Sequence, residues 1–443
     1  MKYFNLARNN FIYLLIVSFT QFFILVIVAN ALSVEENGYY ILGTLISGTL
    51  ANFFILGINS SNVYFKKINE YSLKILLKKN IEFLVIIGVF ISAILYYVLF
   101  LYSELLFPGV PKLVVNVSLL IFYVALLNYI SCSFFQALNL FHLFNLYSFS
   151  SAFLNLLLVV IFFLYGIDNY LYFLFAIFFS SLLTALAAFI HVLFLVRENF
   201  DEKSSKETKF NYHKFYAFGL KSHLSNVVAY FMSRLDMYMI SFFINPASTA
   251  IYSVAVLFVE RVGLVSQSLS TVMFPDLVAY KDDKDKLYPL IEKAFKVNFV
   301  LGLLICCISL IFIYPVISFL YTPSYLEALN VFYILLLGVF LKSSSRIIAI
   351  SVTAMGKPEV NFYTALIVLV LNVILNIHFI PIYGILGAAI ATTISYTFNL
   401  IMRLLVFRSK FFGYPIVNLI PSGSDFKDVY KLLLRRESHH DFF

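Results

Sequence analysis

Long apolar stretches, each close to 20 residues, recur along almost the whole of this 443-residue chain. An α-helix rises 1.5 Å per residue, so roughly 20 apolar residues cross the ~30 Å hydrocarbon core of a bilayer. Only 12% of the residues are charged, whereas a soluble domain carries about 25%. The pattern predicts an all-α, polytopic membrane protein with about twelve transmembrane helices. The predicted spans are 10–32, 38–58, 81–106, 113–138, 143–165, 170–196, 217–243, 249–276, 297–320, 327–353, 360–380 and 385–407.

Lysine and arginine residues are concentrated in every second connection between these spans and in the C-terminal tail. In the connections on the opposite side, Lys112 is the only lysine or arginine. Because cytoplasmic connections carry such an excess of cations, both termini are predicted to be cytoplasmic. The formal net charge of +8 is then explained by topology and by contact with anionic membrane lipid, and nucleic acid is not an expected partner.

The two halves of the chain show weak internal similarity. Residues 135–166 resemble residues 353–384, and Asn155 aligns with Asn372. Parallel repeats of six spans are therefore predicted, and transporters built in this way place their substrate at the interface of the halves. The predicted organisation is an N-terminal lobe (1–200, spans 1–6), a cytoplasmic linker (201–216), a C-terminal lobe (217–407, spans 7–12) and a cytoplasmic tail (408–443).

The segment PIYGILGAAIATTISY (381–396) lacks the large side chains that surround it in the sequence. Gly387, Ala391 and Ser395 recur at every fourth position, as do Gly384, Ala388 and Thr392. Membrane helices associate through close contact at rows of small residues. The twelfth span is therefore expected to pack against other helices, and no ligand is needed to explain its composition.

This segment, extended to LNVILNIHFIPIYGILGAAIATTISY, resembles part of the bacterial polysaccharide flippases of the multidrug/oligosaccharidyl-lipid/polysaccharide exporter superfamily. The segments LSVEENGYYILGTLISG, SRLDMYMISFFINPASTAIYSVAVLFVERV and YTPSYLEALNVFYILLLG are similar to further family segments in the same order. The resemblance implies two six-helix lobes around a cavity that opens alternately to either side. The implied cargo is a polyprenyl-pyrophosphate-linked oligosaccharide, such as an O-antigen repeat unit, moved from the cytoplasmic to the outer leaflet.

The resemblance also implies the partners and the location of the protein. They are a lipid-linked oligosaccharide, membrane lipid, H⁺ or Na⁺ as coupling ion, and proteins of polysaccharide assembly, in the bacterial inner membrane. No cofactor, metal or enzymatic activity is expected. Drug-exporting members of the superfamily usually carry a functional carboxylate in the first span, where this chain has Gln21 and Asn30 but no acid. A drug/cation antiporter is therefore the second hypothesis within the superfamily.

Charged residues inside the predicted spans are the candidates for substrate binding. A charge at bilayer depth costs at least ~2.5–3.5 kcal/mol, so each needs a partner, water or a ligand. Lys221 and Arg403 lie near span ends, where they can extend to the lipid headgroups. The remaining cations outnumber the acids, and this excess suits a pyrophosphate. The candidate substrate-binding residues are Arg234, Arg261, Lys342, Arg346, Asp236 and Glu260.

A structural alternative applies to four of these charges, and the other two favour a bound anion. Arg234, Asp236, Glu260 and Arg261 could form a salt-bridge network between spans seven and eight. Lys342 and Arg346, at positions i and i+4, repel each other unless an anion lies between them. The uncharged polar residues of the spans could bind sugar, although hydrogen bonding between helices explains most of them equally well. They are Asn52, Asn128, Gln136, Asn155, Asn226, Asn372 and Asn376.

A membrane glycosyltransferase or polysaccharide polymerase is the alternative from a different functional class. Glu35 and Glu36, on the first external turn, resemble the acidic pair of such transferases. The external connections are too short to hold an acceptor and a metal, and the sequence contains no glycine-rich phosphate loop.

A separate pattern, with apolar positions in residues 283–296, predicts an amphipathic helix on the cytoplasmic face of the membrane.

Overall fold

A computed structural model describes residues 2–198, 210–408, 419, 421–423 and 425–426. Within this part of the chain, all the regular structure is helical. The predicted linker falls largely outside the described residues, and so does most of the predicted tail. The helices are α1 (Lys2–Ala31), α2 (Val34–Phe54), α3 (Ile58–Lys67), α4 (Leu73–Ile86), α5 (Ser92–Leu106), α6 (Lys112–Ala137), α7 (Phe141–Leu164), α8 (Tyr170–Glu198), α9 (Tyr212–Phe243), α10 (Pro246–Val259), α11 (Gly263–Ala279), α12 (Lys284–Leu320), α13 (Ala328–Ala354), α14 (Pro358–Tyr383) and α15 (Ile385–Arg408).

Three short helical segments of other types lie between these helices. A π-helical segment, Ile87–Ile91, joins α4 to α5, and a 3₁₀ turn, Glu260–Val262, joins α10 to α11. A second 3₁₀ turn, Pro323–Tyr325, precedes α13. The π segment and the first turn both fall within predicted spans, so two of the predicted spans are formed by helices with an internal break.

The fold is that of a polytopic membrane protein. Eight described helical segments are long and apolar enough to cross a membrane, and the bent pair α2–α3 makes a ninth when it is counted as one span. Every predicted span coincides with a helix or with a pair of consecutive helices. The all-α membrane fold is confirmed, and the number twelve stays a prediction.

The amphipathic helix predicted at 283–296 is not a separate helix on the membrane surface. It forms the first turns of α12, which continues without interruption to Leu320. Its apolar residues Leu287, Ile291 and Phe295 are buried in a protein core with Ile347 of α13. The prediction was wrong because an apolar stripe has the same period whether it faces lipid or other helices.

The chain divides into two compact units. Unit 1 comprises Met1–Tyr230 and Ile244–Ala250, and unit 2 comprises Phe231–Phe243 and Ile251–Phe443. The boundary falls inside α9, whose first part belongs to unit 1 and whose last part belongs to unit 2. The assignment of six spans to each lobe stays a prediction.

Unit 1 contains a break between α2 and α3. The axes of these helices differ by 42°, and Leu56 and Gly57 between them have φ angles of 47° and 72°. A Cβ atom at Gly57 would lie 2.0 Å from the carbonyl oxygen of Gly219 in α9. Only glycine permits both the left-handed backbone and this contact, so the break fixes the first part of α9 against α2 and α3.

Unit 2 contains the segment of small residues, which packs as the sequence predicts. Gly387, Ala391 and Ser395 are buried, and α15 contacts both α13 and α14. A Cβ atom at Gly387 would lie 2.1 Å from the carbonyl oxygen of Phe379. The small size of the residues in this segment therefore permits backbone contact between α14 and α15, and the prediction is confirmed.

Candidate functional site

Asp236 is a buried acid in the last part of α9, with 6% of its surface exposed. Its Oδ2 accepts a hydrogen bond of 2.5 Å from the Tyr252 hydroxyl, and its Oδ1 accepts one of 2.9 Å from the Met237 backbone N–H. The Thr392 hydroxyl donates to Oδ2 at 3.5 Å. Among the described residues, no cation lies within ion-pair distance of this carboxylate. Asp236 is therefore held by neutral donors rather than in the salt bridge that the sequence allows.

A chain of amide and hydroxyl groups continues from this carboxylate into α14 and α15. Asn372 Nδ2 donates to the hydroxyls of Thr392 at 3.4 Å and Ser395 at 3.3 Å. Asn376 Nδ2 donates to Asn372 Oδ1 at 3.0 Å. We call the five side chains Asp236, Tyr252, Asn372, Asn376 and Thr392 the Asp236 cluster. Its asparagines lie inside the helix bundle of unit 2, which makes interhelical bonding the better account of both.

Arg234 and Glu260 form the ion pair that connects α9 to the 3₁₀ turn. Arg234 Nη1 lies 3.1 Å from Glu260 Oε1, and Arg234 Nη2 donates to Glu260 Oε2 at 3.3 Å. The side chains are 30% and 43% exposed. Because this pair is partly exposed, its charges are accessible to an approaching ion.

Arg261 lies on the same 3₁₀ turn, beside Glu260, and is half-buried. The turn packs against α13, and Arg261 is within electrostatic range of Glu260. The following residue, Gly263, has open space where a Cβ atom would be. The break between α10 and α11 thus places the half-buried Arg261 directly after Glu260 on a turn that packs against α13.

Lys342 and Arg346 of α13 have different environments. Lys342 Nζ donates to the Tyr396 hydroxyl at 2.9 Å and lies 4.3 Å from the centre of that ring. Tyr396 in turn donates to the Met232 carbonyl at 3.1 Å. Arg346 is exposed, and within the described part of the chain no carboxylate lies within ion-pair distance of it. Neither cation has a carboxylate within ion-pair distance in the described part of the chain, but Lys342 has the Tyr396 hydroxyl and ring as partners, so Arg346 is the more exposed of the two charges.

The sequence suggested that Arg403 extends to the lipid headgroups, but the structure directs it to other helices. Its Nε donates to Asn399 at 2.9 Å, and its Nη1 donates to Asn361 of α14. Asn361 also donates to the Ala349 carbonyl of α13 at 2.7 Å. Arg403 therefore connects three helices of unit 2, whereas Lys221 is exposed. A long cation near a span end has the same sequence signature in both environments.

The acidic pair on the first external turn has a structural role. Ser33 caps α2 by accepting a hydrogen bond from the Glu36 backbone N–H at 3.3 Å, and its hydroxyl donates to the Glu36 carboxylate at 3.0 Å. Glu35 accepts from Tyr39. This is an N-cap with the spacing of a capping box, in which the carboxylate accepts from the Ser33 hydroxyl. The described residues contain no group of acids, histidines and cysteines that could hold a metal ion. The acidic pair therefore gives no support to a glycosyltransferase.

Sequence reasoning missed Tyr252, Thr392 and Tyr396, which supply the neutral partners of Asp236 and Lys342. Thr392 and Tyr396 belong to the segment of small residues, where the interpretation was confined to helix packing. Tyr252 lies in the segment SRLDMYMISFFINPASTAIYSVAVLFVERV, but a tyrosine without a motif gives no indication of its partner. The available signal was the presence of hydroxyl-bearing residues on helices expected to contact span seven, since a buried Asp236 needs hydrogen-bond donors.

The chain is similar to known membrane proteins at the levels of family, sequence and fold. A family model described as polysaccharide biosynthesis protein matches residues 6–281. A probable low-salt glycan biosynthesis flippase of Haloferax volcanii is 26% identical over 196 residues, which are 44% of this chain and 40% of that protein. A putative O-antigen transporter of Shigella flexneri is 24% identical over 184 residues, 41% of this chain and 44% of that protein. The chain thus spans less than half the length of these curated relatives.

Solved structures show the same fold. A lipid II flippase in an inward closed conformation matches with a TM-score of 0.75 and 20% identity, over 97% of this chain and 93% of that one. An inward-facing multidrug resistance transporter matches with a TM-score of 0.66 and 13% identity, over 96% of each chain. At such identities the likeness establishes the architecture alone, and it is shared by flippases and drug exporters.

Proposed function

The chain belongs to the family of polysaccharide biosynthesis proteins, and from this membership we propose that it is a flippase for a lipid-linked oligosaccharide. The cargo is a surface-polysaccharide repeat unit, such as that of an O-antigen, on a polyprenyl pyrophosphate. The protein moves it from the cytoplasmic to the outer leaflet by alternating access. The names of the flippase and O-antigen transporter relatives support this class of cargo.

The exposed, uncompensated charge of Arg346 is the observation that carries the proposal. A cation at membrane depth needs an anion or water, and the described residues supply no carboxylate to Arg346. A pyrophosphate would accept bidentate hydrogen bonds from its guanidinium group. In this proposal Arg346 and Arg261 bind the pyrophosphate directly. Lys342, whose ammonium group lies against the Tyr396 ring, adds positive charge nearby.

The remaining candidates act on the charge balance. Glu260 is the first residue of the 3₁₀ turn and is paired with Arg234 of α9. Because Arg261 follows Glu260, this pair positions Arg261. Asp236 lies within electrostatic range of Arg234 and Lys342, and a buried carboxylate among hydroxyl and amide oxygens suits a bound H⁺ or Na⁺. We assign the coupling ion to Asp236 within this proposal. Delivery of the glycan to assembly proteins on the outer side follows from the same function.

A flipping assay in proteoliposomes tests the function. The probe is a fluorescent polyprenyl pyrophosphate bearing one N-acetylglucosamine, and accessibility to a quencher measures its leaflet. We expect Arg346→Ala and Arg261→Ala to lose most of the rate and Arg261→Lys to be impaired, because lysine cannot form the bidentate contact. Lys78→Ala, which removes an exposed cation of α4, is the matched control and should flip at the wild-type rate.

The drug/cation antiporter is tested in the same vesicles with ethidium as the organic cation. A flippase with an uncompensated Arg346 should not transport ethidium. Transport of ethidium by the wild type, without flipping of the pyrophosphate lipid, would refute the proposal and establish the antiporter.

The orientation in the bacterial inner membrane is part of the proposal and has its own test. Single cysteines at Glu35 and Lys284, both exposed, are introduced after Cys132, Cys306 and Cys307 are replaced. The excess of cations in every second connection leads us to expect labelling of Glu35→Cys from outside intact cells. Labelling of Lys284→Cys should require permeabilised cells. Labelling of this cysteine in intact cells would show that the topology is the opposite of the one proposed.

A further inference from the structure

The exposed surface of α9 in unit 1 differs in chemistry from that of α12. In its membrane-spanning part, α12 exposes apolar side chains such as Leu304, Ile308 and Ile311. The middle of α9 exposes Ser225 and Asn226 next to the apolar Leu224. Polar side chains on membrane helices face protein, water or a ligand, since exposure to lipid is unfavourable. The surface of α9 around Asn226 is therefore unsuited to contact with lipid tails.

The polar surface continues from α9 to α2. Tyr230 lies one helical turn after Asn226, on the same face. The Thr49 hydroxyl donates to the Tyr230 hydroxyl at 3.3 Å, and a Cβ atom at Gly48 would lie only 3.1 Å from that oxygen. Asn52, three residues after Thr49, is partly exposed; its Nδ2 donates to the Gly48 carbonyl at 2.9 Å, so α2 adds the oxygen of a second amide to the surface.

Tyr129 of α6 completes this surface with an aromatic ring. It is 36% exposed, and its hydroxyl is within electrostatic range of Tyr230. Three helices of unit 1 thus present two amides, three hydroxyls and exposed ring surface. We call these residues the polar face of unit 1: Thr49, Asn52, Tyr129, Asn226 and Tyr230.

We propose that the polar face of unit 1 binds the sugar part of the cargo, an inference that rests on the proposed function. Amides and hydroxyls both donate and accept hydrogen bonds, as the hydroxyls and acetamido groups of a sugar require. An exposed tyrosine ring can pack against the C–H groups of a pyranose. The five side chains are uncharged at neutral pH, so they favour a neutral polyol over the pyrophosphate.

The structure separates this face from the other polar groups that the sequence offered. Asn155 has its amide oxygen buried inside the protein, and Asn372 and Asn376 bond within the Asp236 cluster. Asn226 is different, because it is exposed and no described residue hydrogen-bonds to its side chain. Burial and partners therefore select Asn226 from a set that the sequence could not order.

Binding of two lipids to the full-length protein in nanodiscs tests this inference. The probes are fluorescent polyprenyl pyrophosphate with one N-acetylglucosamine and the same lipid without sugar. A hydrogen bond between uncharged groups changes binding roughly 2–10-fold. We expect the wild type to bind the sugar-bearing lipid about tenfold more tightly, and Asn226→Leu and Tyr129→Leu to reduce this ratio severalfold.

The controls separate this inference from the proposed function. Asn226→Leu should leave the affinity for the sugar-free lipid unchanged, and Arg346→Ala should weaken both lipids alike. Asn30→Leu, an exposed asparagine of α1 outside the face, should keep the wild-type ratio. Equal binding of both lipids by the wild type, or equal weakening of both by Asn226→Leu, would overturn the sugar site alone. No binding of either lipid would overturn the proposed function.

Discussion

The two units each contain a cluster of buried polar side chains, and the clusters differ in charge. In unit 1, Asn62 Nδ2 donates to the Ser133 hydroxyl at 2.8 Å, and Asn80 Nδ2 donates to Asn62 Oδ1 at 2.9 Å. This neutral cluster joins α3, α4 and α6. In unit 2, the Asp236 cluster joins its helices around a carboxylate. The same architectural task, connecting helices by hydrogen bonds, is thus carried out with and without charge.

The difference shows which cluster needs an explanation beyond packing. Neutral hydrogen bonds between helices are enough to secure a membrane bundle. A buried carboxylate adds a desolvation penalty of several kcal/mol, which a purely structural cluster avoids by using asparagine, as unit 1 does. The contrast supports a functional role for Asp236 and a structural role for Asn62.

The largest effect is expected at the glycines in backbone contact, where the two units should respond alike. Gly57→Leu and Gly387→Leu each place side-chain atoms about 2 Å from a carbonyl oxygen. Overpacking costs roughly 1–3 kcal/mol when side chains can move aside, and backbone cannot, so most of the folded protein should be lost. Size-exclusion chromatography in detergent measures the folded yield. Gly263→Ala, where space is open, is the control, and normal yield of either leucine variant would refute the contact.

The two polar clusters should respond differently to removal of their central group. Asp236→Leu removes the charged acceptor of the buried Tyr252 hydroxyl, at a cost of roughly 2–3 kcal/mol. Asn62→Leu should cost roughly 1–3 kcal/mol. Asp236→Asn should stay within about 1 kcal/mol of wild type yet lose ion-coupled flipping. Thermal unfolding and the flipping assay measure these effects, and full activity of Asp236→Asn would remove the functional distinction between the clusters.

A smaller effect is expected at the ion pair of unit 2. Arg234→Ala leaves Glu260 unpaired, but both side chains are partly exposed, so stability should fall by about 1 kcal/mol or less. Arg234→Ala/Glu260→Gln should recover most of that loss if the pair is only structural. Flipping should stay low in the double variant if the pair positions Arg261. Recovery of both stability and flipping would reduce the pair to a scaffold.

The smallest effect is expected at the ion pair of unit 1. Lys214 Nζ lies 2.6 Å from Glu70 Oε2, and the hydrogen bond to Glu70 raises the pKa of Lys214 from its usual 10.5. A raised pKa means that the stabilisation is present at neutral pH and is lost as pH rises through the folded-state pKa. Unfolding of Lys214→Ala and wild type should therefore differ little at pH 7 and converge in strong alkali. A large difference at pH 7 would make this pair as important as the buried clusters.

The sequence predicted the fold from the length of its apolar stretches and the packing of α15 from its small residues, because both are local patterns. The partner of Lys342 lies 54 residues away in Tyr396, and no spacing rule connects a lysine to a tyrosine ring on another helix. The Ser33–Glu36 capping box has a recognisable spacing and was within reach of the sequence. The charges of the site were identified, but their sorting into paired, covered and exposed groups required three-dimensional neighbours.

The uninterrupted length of α12 has a practical consequence. Its 37 residues extend about 55 Å at 1.5 Å per residue, well beyond a ~30 Å hydrocarbon core. The excess at its start is anchored, since Leu287, Ile291 and Phe295 lie in a protein core. A 50.8 kDa membrane protein gives electron microscopy little to align. A rigid helical fusion at the turn before Lys284 would move with the bundle and supply the missing alignment marker.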